Sequence, residues 1–191
     1  MKYYPYLRGK QFELIALREM CSFMDNKDII SPIIEPVKKG NTTLTKTIDC
    51  LKEHGICFNL ILNPQDGDHR RNDDAFDALV NFVLPAIGDY ANYHPSFIID
   101  ESVNIDWIFN TIADRRLRSV TLVINQLPKD DAAIDRLLET GKISQLVLSQ
   151  TDSSVRRLSR RFRLIGDIIM LEDKFNTKSK NADYANPDDE P

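Results

Sequence analysis

Apolar residues fall along this chain in two alternating patterns, short continuous runs and longer stretches in which they recur with the period of a helix. Residues 3–7 form the first run. After Arg8-Gly9-Lys10 comes Gln11–Phe23, where Phe12, Ile15, Leu17 and Cys21 approximate helical spacing. Residues 29–34 form the second run, stopped at Glu35-Pro36. Beyond Gly40 either Asn41 or Thr42 can cap a helix carried by Leu44, Ile48 and Leu51, which His54-Gly55 ends. Four further run–helix pairs follow, at 56–62 with 75–87, 96–99 with 105–112, 120–124 with 132–138, and 145–148 with 155–162. Pro85, late in the third helix, is expected to kink or end it. Residues 165–171 make a seventh run, and from Glu172 the chain turns polar.

Strands that are apolar throughout, separated by helices, imply a parallel sheet covered on both faces or closed as a barrel. The expected fold is therefore α/β, with repeated βα units in a TIM-barrel-like domain over residues 1–175 and a disordered polar tail over 176–191. A closed barrel of this type has eight strands, and only seven runs are present. The alternatives are an open doubly wound sheet, a truncated barrel, or a barrel whose missing wall a partner supplies. An unclosed barrel would expose strand edges and an apolar flank, which favours association.

Composition narrows the partners. With 25 Lys+Arg against 29 Asp+Glu, the net charge of −4 generates no global positive field, so binding to nucleic acid or an anionic membrane would need a local patch. Cys21, Cys50 and Cys57 lack C-x-x-C spacing and lie in apolar surroundings, which predicts buried free thiols and a reducing compartment. The start Met1-Lys2-Tyr3-Tyr4-Pro5-Tyr6 is unlike a signal peptide, and no apolar run approaches the length of a membrane span. A cytoplasmic protein with no membrane partner is expected.

Polar residues stand where the strands end, the side on which parallel α/β folds bind ligands. They include Arg8 and Lys10 after the first strand, Glu35 after the second, Asn63 and Gln65 after the third, Asp100 and Glu101 after the fourth, Asn125 and Gln126 after the fifth, Ser149 and Gln150 after the sixth, and Glu172 and Asp173 after the seventh. If these converge, Glu35, Asp100 and Glu172 can hold a divalent cation, Arg8 or Lys10 can meet a phosphate or carboxylate, and Asn63, Gln65 and Asn125 can line the same ligand site. The plainer reading is that any strand leaving a core turns polar and that Asp, Asn and Glu cap the helices that follow. His54, His69 and His94 are scattered without metal or triad spacing, and only His69 falls on the ligand-binding side. Phosphate-loop, Rossmann, zincin and nucleophile-elbow motifs are all missing.

Arg156, Arg157, Arg160 and Arg161 share one face of the sixth helix, opposite Val155, Leu158 and Phe162. This is either a solvated outer face or a contact surface for an acidic partner or a nucleic acid backbone.

Two family resemblances bear on function. Arg8-Gly9 after the first strand resembles the start of a glycerophosphodiester phosphodiesterase barrel, but Leu7 stands where that family carries its catalytic histidine. Residues 4–19, then Ile33-Ile34-Glu35-Pro36-Val37, Leu62-Asn63-Pro64-Gln65, Phe97-Ile98-Ile99-Asp100, Asp173-Lys174-Phe175-Asn176 and Asn181-Ala182-Asp183-Tyr184, resemble the Beta protein family of phages and bacteria across the chain. Members of that family continue past the last segment, so the chain looks like an N-terminal portion or a shortened form. The branch it most resembles is often encoded beside a small PD-(D/E)XK nuclease-like protein in defence neighbourhoods. The resemblance thus implies a phage-defence interaction or regulatory protein with a nuclease-like partner, nucleic acid being engaged through the complex. It supplies no catalytic residues. A metal-dependent phosphodiesterase or other phosphate-ester enzyme, and a structural homo-oligomeric scaffold, are the alternatives.

Overall fold

The computed structural model describes residues 2–39, 42–69, 73–128, 131–149 and 153–171. Among them, β1 (Tyr6–Leu7), β2 (Ile33–Ile34), β3 (Phe58–Ile61), β4 (Tyr93–Ile99), β5 (Val120–Ile124), β6 (Ile143–Leu148) and β7 (Asp167–Met170) form one parallel sheet in chain order. Helices α1 (Gln11–Phe23), α2 (Thr42–Glu53), α3 (Asp73–Ile87), α4 (Ile105–Asp114), α5 (Asp131–Glu139) and α6 (Ser153–Phe162) connect them. A doubly wound sheet reverses its strand order at a switch point. Here the order never reverses, so the architecture is a curled, incomplete TIM-like barrel, with no β7–β1 pairing among the described residues.

Where element bounds differ from expectation, backbone chemistry explains the difference. Pro5 has no N–H, so the first run pairs as a strand only at Tyr6–Leu7, with a single bridge from Tyr3 to Ile30. Residues Lys27–Ile29 wind into a 3-10 turn, capped by Asn26 Oδ1 accepting from Asp28 N at 3.1 Å, which shortens the second strand. Strand β4 starts three residues earlier than its apolar run because Pro95 does no harm there: the β4–β5 ladder begins at Ser96–Thr121, just past it. Ile165 belongs to the turn after α6, where its N–H and that of Gly166 both reach the Phe162 carbonyl. Pro85 sits inside the last turn of α3, which continues to Ile87.

Both faces of the sheet are buried over β2–β6, which is why these strands lack alternation. The outer face, with Leu60, Phe97, Leu122 and Leu146, packs under the helices. The inner face carries an aliphatic layer of Ile33, Ile61, Ile98, Val123, Val147 and Ile169, none more than 6% exposed. Tyr4, Tyr6 and Leu171 pack onto that layer from the two margins of the sheet. Tyr4 has its pKa raised by burial first and then by the Asp167 carboxylate of β7.

Deeper inside lies a polar layer. Thr121 Oγ lies 2.7 Å from Asn59 Oδ1 and 3.0 Å from the Gln145 amide, and Asn59 Nδ2 lies 3.5 Å from Ser31 Oγ. These groups are at most 6% exposed, so they depend on one another for hydrogen bonds. The small Ser96 on the intervening strand lets β3 reach β5.

Cys21 is buried, as expected, but Cys50 and Cys57 are only partly so, because each sits at the margin of its element; all three are free thiols. Among the described residues no helix is long and apolar enough to cross a membrane.

Candidate functional site

The curl of the sheet brings most of the strand-end row together, and the row bonds chiefly to itself. Glu35, 4% exposed beyond β2, accepts hydrogen bonds from the Tyr6 hydroxyl and from the Gln65 backbone N–H, both at 2.8 Å. The Tyr6 phenol has its pKa raised far above the ordinary value, by burial first and then by the Glu35 charge, so it remains a donor. Gln65 Nε2 donates to Asp100 Oδ2 at 2.5 Å, while its Oε1 lies 3.4 Å from Asn125 Nδ2. Ser149 Oγ lies 3.3 Å from Asn125 Oδ1. A hydrogen-bonded chain therefore crosses the carboxyl ends of six neighbouring strands, from Tyr6 of β1 to Ser149 beyond β6.

The remaining members are more local. Asn63 extends β3 with its side chain, accepting from Ile98 N at 2.8 Å and donating to Ile98 O at 2.9 Å. The other Asp100 oxygen accepts from Ser102 N and Oγ, both at 2.8 Å. Arg8 pairs with Asp66 at 3.2 Å in the open, where such a pair contributes little. Lys10 is exposed at the N-cap of α1, its backbone N–H 3.4 Å from Glu13 Oε2.

Between the ends of β3 and β4 this row opens into a pocket of about 280 Å³, lined by Asn63, Gln65 and Asp100 together with His69, Asn104, Phe76 and Trp107. Phe76 and Trp107 form an aromatic corner, ring centroids 4.8 Å apart and planes at 79°. His69 is 5% exposed and places Nε2 3.2 Å from the Lys38 carbonyl, a structural tie between the loops after β2 and β3. Among the described residues lining the pocket none is Lys or Arg.

Of the three carboxylates expected to hold a cation, Glu172 lies outside the described residues, as do Gln150, Asp173 and the tail 176–191. No group of three or more His, Cys, Asp and Glu suited to a metal occurs among the described residues. Tyr6, Phe76 and Trp107 are the site residues that strand-end reasoning overlooked: Tyr6 sits within a strand, and the aromatic pair comes from two helices. The single tryptophan two residues after Ile105 opens the helix following Asp100 was the available signal.

The four arginines of α6 all lie on its exposed face, with Val155, Leu158 and Phe162 buried opposite. Arg161 forms a 2.9 Å ion pair with Asp135 of α5.

Fold and site together define an unclosed (β/α)-barrel with a laced polar rim. Compared with protein-family models, with curated proteins and with solved structures, the chain matches none.

Proposed function

We propose that this chain is a cytoplasmic, phage-defence-associated interaction protein whose open barrel margin docks a nuclease-like partner. The observation that carries this reading is the contrast between its two candidate surfaces. The strand-end carboxylates Glu35 and Asp100 are held by donors of the chain itself. The margin at β7, by contrast, exposes Leu164 at 92%, Ile165 at 53% and Met170 at 46%, beside a strand edge unpaired among the described residues. Exposed apolar side chains beside a strand edge that no described strand covers favour association. The nature of the partner rests on the resemblance carried by residues 4–19 and the later segments. Helix α6 leads into β7, and Arg156 and Arg160 line a groove with Met170, so they stand beside the same margin and can engage nucleic acid once the partner is seated, whereas Arg157 and Arg161 face α5.

The metal-dependent phosphodiesterase reading finds less support, because the row is self-bonded and Arg8 is paired with Asp66. The test is co-purification with the product of the neighbouring gene, followed by phage challenge. Leu164→Asp with Met170→Asp is expected to reduce partner recovery at least about tenfold and to abolish protection. The thermal midpoint should stay nearly unchanged, since both side chains are already exposed. Undiminished recovery, a chain that self-associates through this margin instead of binding the partner, or protection that disappears in Asp100→Asn with the complex intact would overturn the proposal.

A further inference from the structure

Arginines of the outer helices reach back to the preceding helix in ion pairs: Arg115 to Asp77 at 2.7 Å, Arg136 to Asp106 at 2.9 Å and Arg161 to Asp135 at 2.9 Å. Three cations depart from this rule. Arg116 and Arg118, in the turn from α4 to β5, and Lys142, just before β6, pair with no carboxylate among the described residues. All three line one depression of about 310 Å³ at the carboxyl ends of α4 and α5, the end of the barrel away from the polar rim. Its floor is apolar. Ile112 and Leu117 are buried there, and Phe109 lines it while 42% exposed.

Cations that follow a helix commonly serve its last carbonyl groups. Here the backbone fills that role. The N–H groups of Arg115, Arg116 and Leu117 reach the carbonyls of Thr111, Ala113 and Ile112, and those of Thr140 and Gly141 reach Leu137 and Leu138. The acids that close the two helices, Asp114 and Glu139, do not line the depression. Each helix end carries only about half a negative charge, against the full positive charge of each of the three side chains.

Backbone conformation is an independent observation at the same place. Among the described non-glycine residues, only Arg116 and Ser119 have positive φ, at 52° and 53°. Ser119 is held by its carbonyl, which accepts from His94 Nδ1 at 2.8 Å. Arg116 stands just past the helix, where glycine is the usual choice for a left-handed residue. Its side chain forms no ion pair among the described residues that would offset the strain.

We propose that this depression binds a nucleoside phosphate, with Arg116, Arg118 and Lys142 around the phosphate and Phe109 against the base. Guanidinium forks and an ammonium group suit the several oxygens of a phosphate, and an exposed ring beside them suits a heterocycle. An acidic side chain would satisfy the cations and leave the ring uncovered. The same chemistry is offered by a free nucleotide and by a single nucleic acid strand. The depression shares no residue with the polar rim or with the β7 margin, so binding here is independent of partner docking.

The test is calorimetric titration of the full chain with AMP, adenosine, inorganic phosphate, hexaadenylate and polyglutamate. AMP is expected to bind at least about tenfold more tightly than adenosine or inorganic phosphate, each of which offers half of the recognised chemistry. Hexaadenylate binding more tightly than AMP would assign the site to a strand, and the reverse order to a free nucleotide; either supports the proposal. Arg116→Gly should weaken AMP binding about tenfold yet raise the thermal midpoint, because glycine adopts the left-handed backbone without strain. Phe109→Ala should weaken AMP several-fold, leave inorganic phosphate unaffected and hold the midpoint. No detectable binding of AMP at millimolar concentration, polyglutamate bound as tightly as AMP, or an Arg116→Gly protein that keeps its affinity or loses stability would overturn the proposal.

Discussion

Replacing Phe97 with alanine is expected to lower the free energy of unfolding by about 4 kcal/mol, read from urea titrations with an unchanged slope. Phe97 is fully buried on β4, the central strand, and its ring points into the layer between sheet and helices. There it meets Trp107 edge to face, centroids 6.0 Å apart at 83°, and Trp107 in turn meets Phe76. Alanine would remove the ring from beneath α4 and leave a cavity that neighbouring strands, hydrogen-bonded on both sides of β4, cannot collapse to fill. Domains of this size have about 5–15 kcal/mol in total, so the variant should approach the threshold of folding. Since Trp107 is the only tryptophan, its emission should shift to the red even in native buffer. Phe109→Ala on the same helix, 42% exposed, is the control and should change stability by about 0.5 kcal/mol or less. A loss below about 1 kcal/mol for Phe97→Ala would mean that the sheet does not pack as described.

The same residue illustrates what could be read before the fold was seen. Phe97-Ile98-Ile99 announced a buried strand because both of its faces are covered, but for that reason nothing in the run said which side chains face the helices and which the lumen. Asn59, Thr121 and Gln145 belong to strands whose apolar neighbours mask them, and only the curl of the sheet brings them together across Ser96. Helix spacing is local, which is why Gln11–Phe23 was legible to the residue. Strand order is not local, and the choice between a barrel and a doubly wound sheet rested on pairings that no stretch of sequence contains. Glu35, Gln65, Asp100 and Asn125 converge, which their strand-end positions alone left open. Their partners decide their role, and those lie about 30 to 60 residues apart. His94 stands outside the apolar run 96–99 that marks this strand, yet it belongs to β4.

Glu35→Gln separates the two meanings of the polar rim by the sign of its effect. A carboxylate kept for a metal is held near other negative charge, so neutralising it would stabilise the metal-free protein. Glu35 instead accepts two hydrogen bonds at 2.8 Å while only 4% exposed. Both of its partners are donors, Tyr6 O–H and Gln65 N–H, and a glutamine can offer an acceptor to only one of them while turning its NH₂ toward the other. The Tyr6 hydroxyl must then accept, and its own proton is left without a partner in a largely buried position. Loss of one charge-assisted bond and the resulting mismatch should cost about 2 kcal/mol, rising to about 3 in Glu35→Ala, where both donors lose their acceptor. Millimolar Mg²⁺ or Mn²⁺ should shift neither the thermal midpoint of the wild type nor the emission of Trp107, which lines the pocket beside Asp100. A stabilised Glu35→Gln variant, or a midpoint that climbs with metal in the wild type and not in the variant, would restore the metal site and return the rim to catalysis.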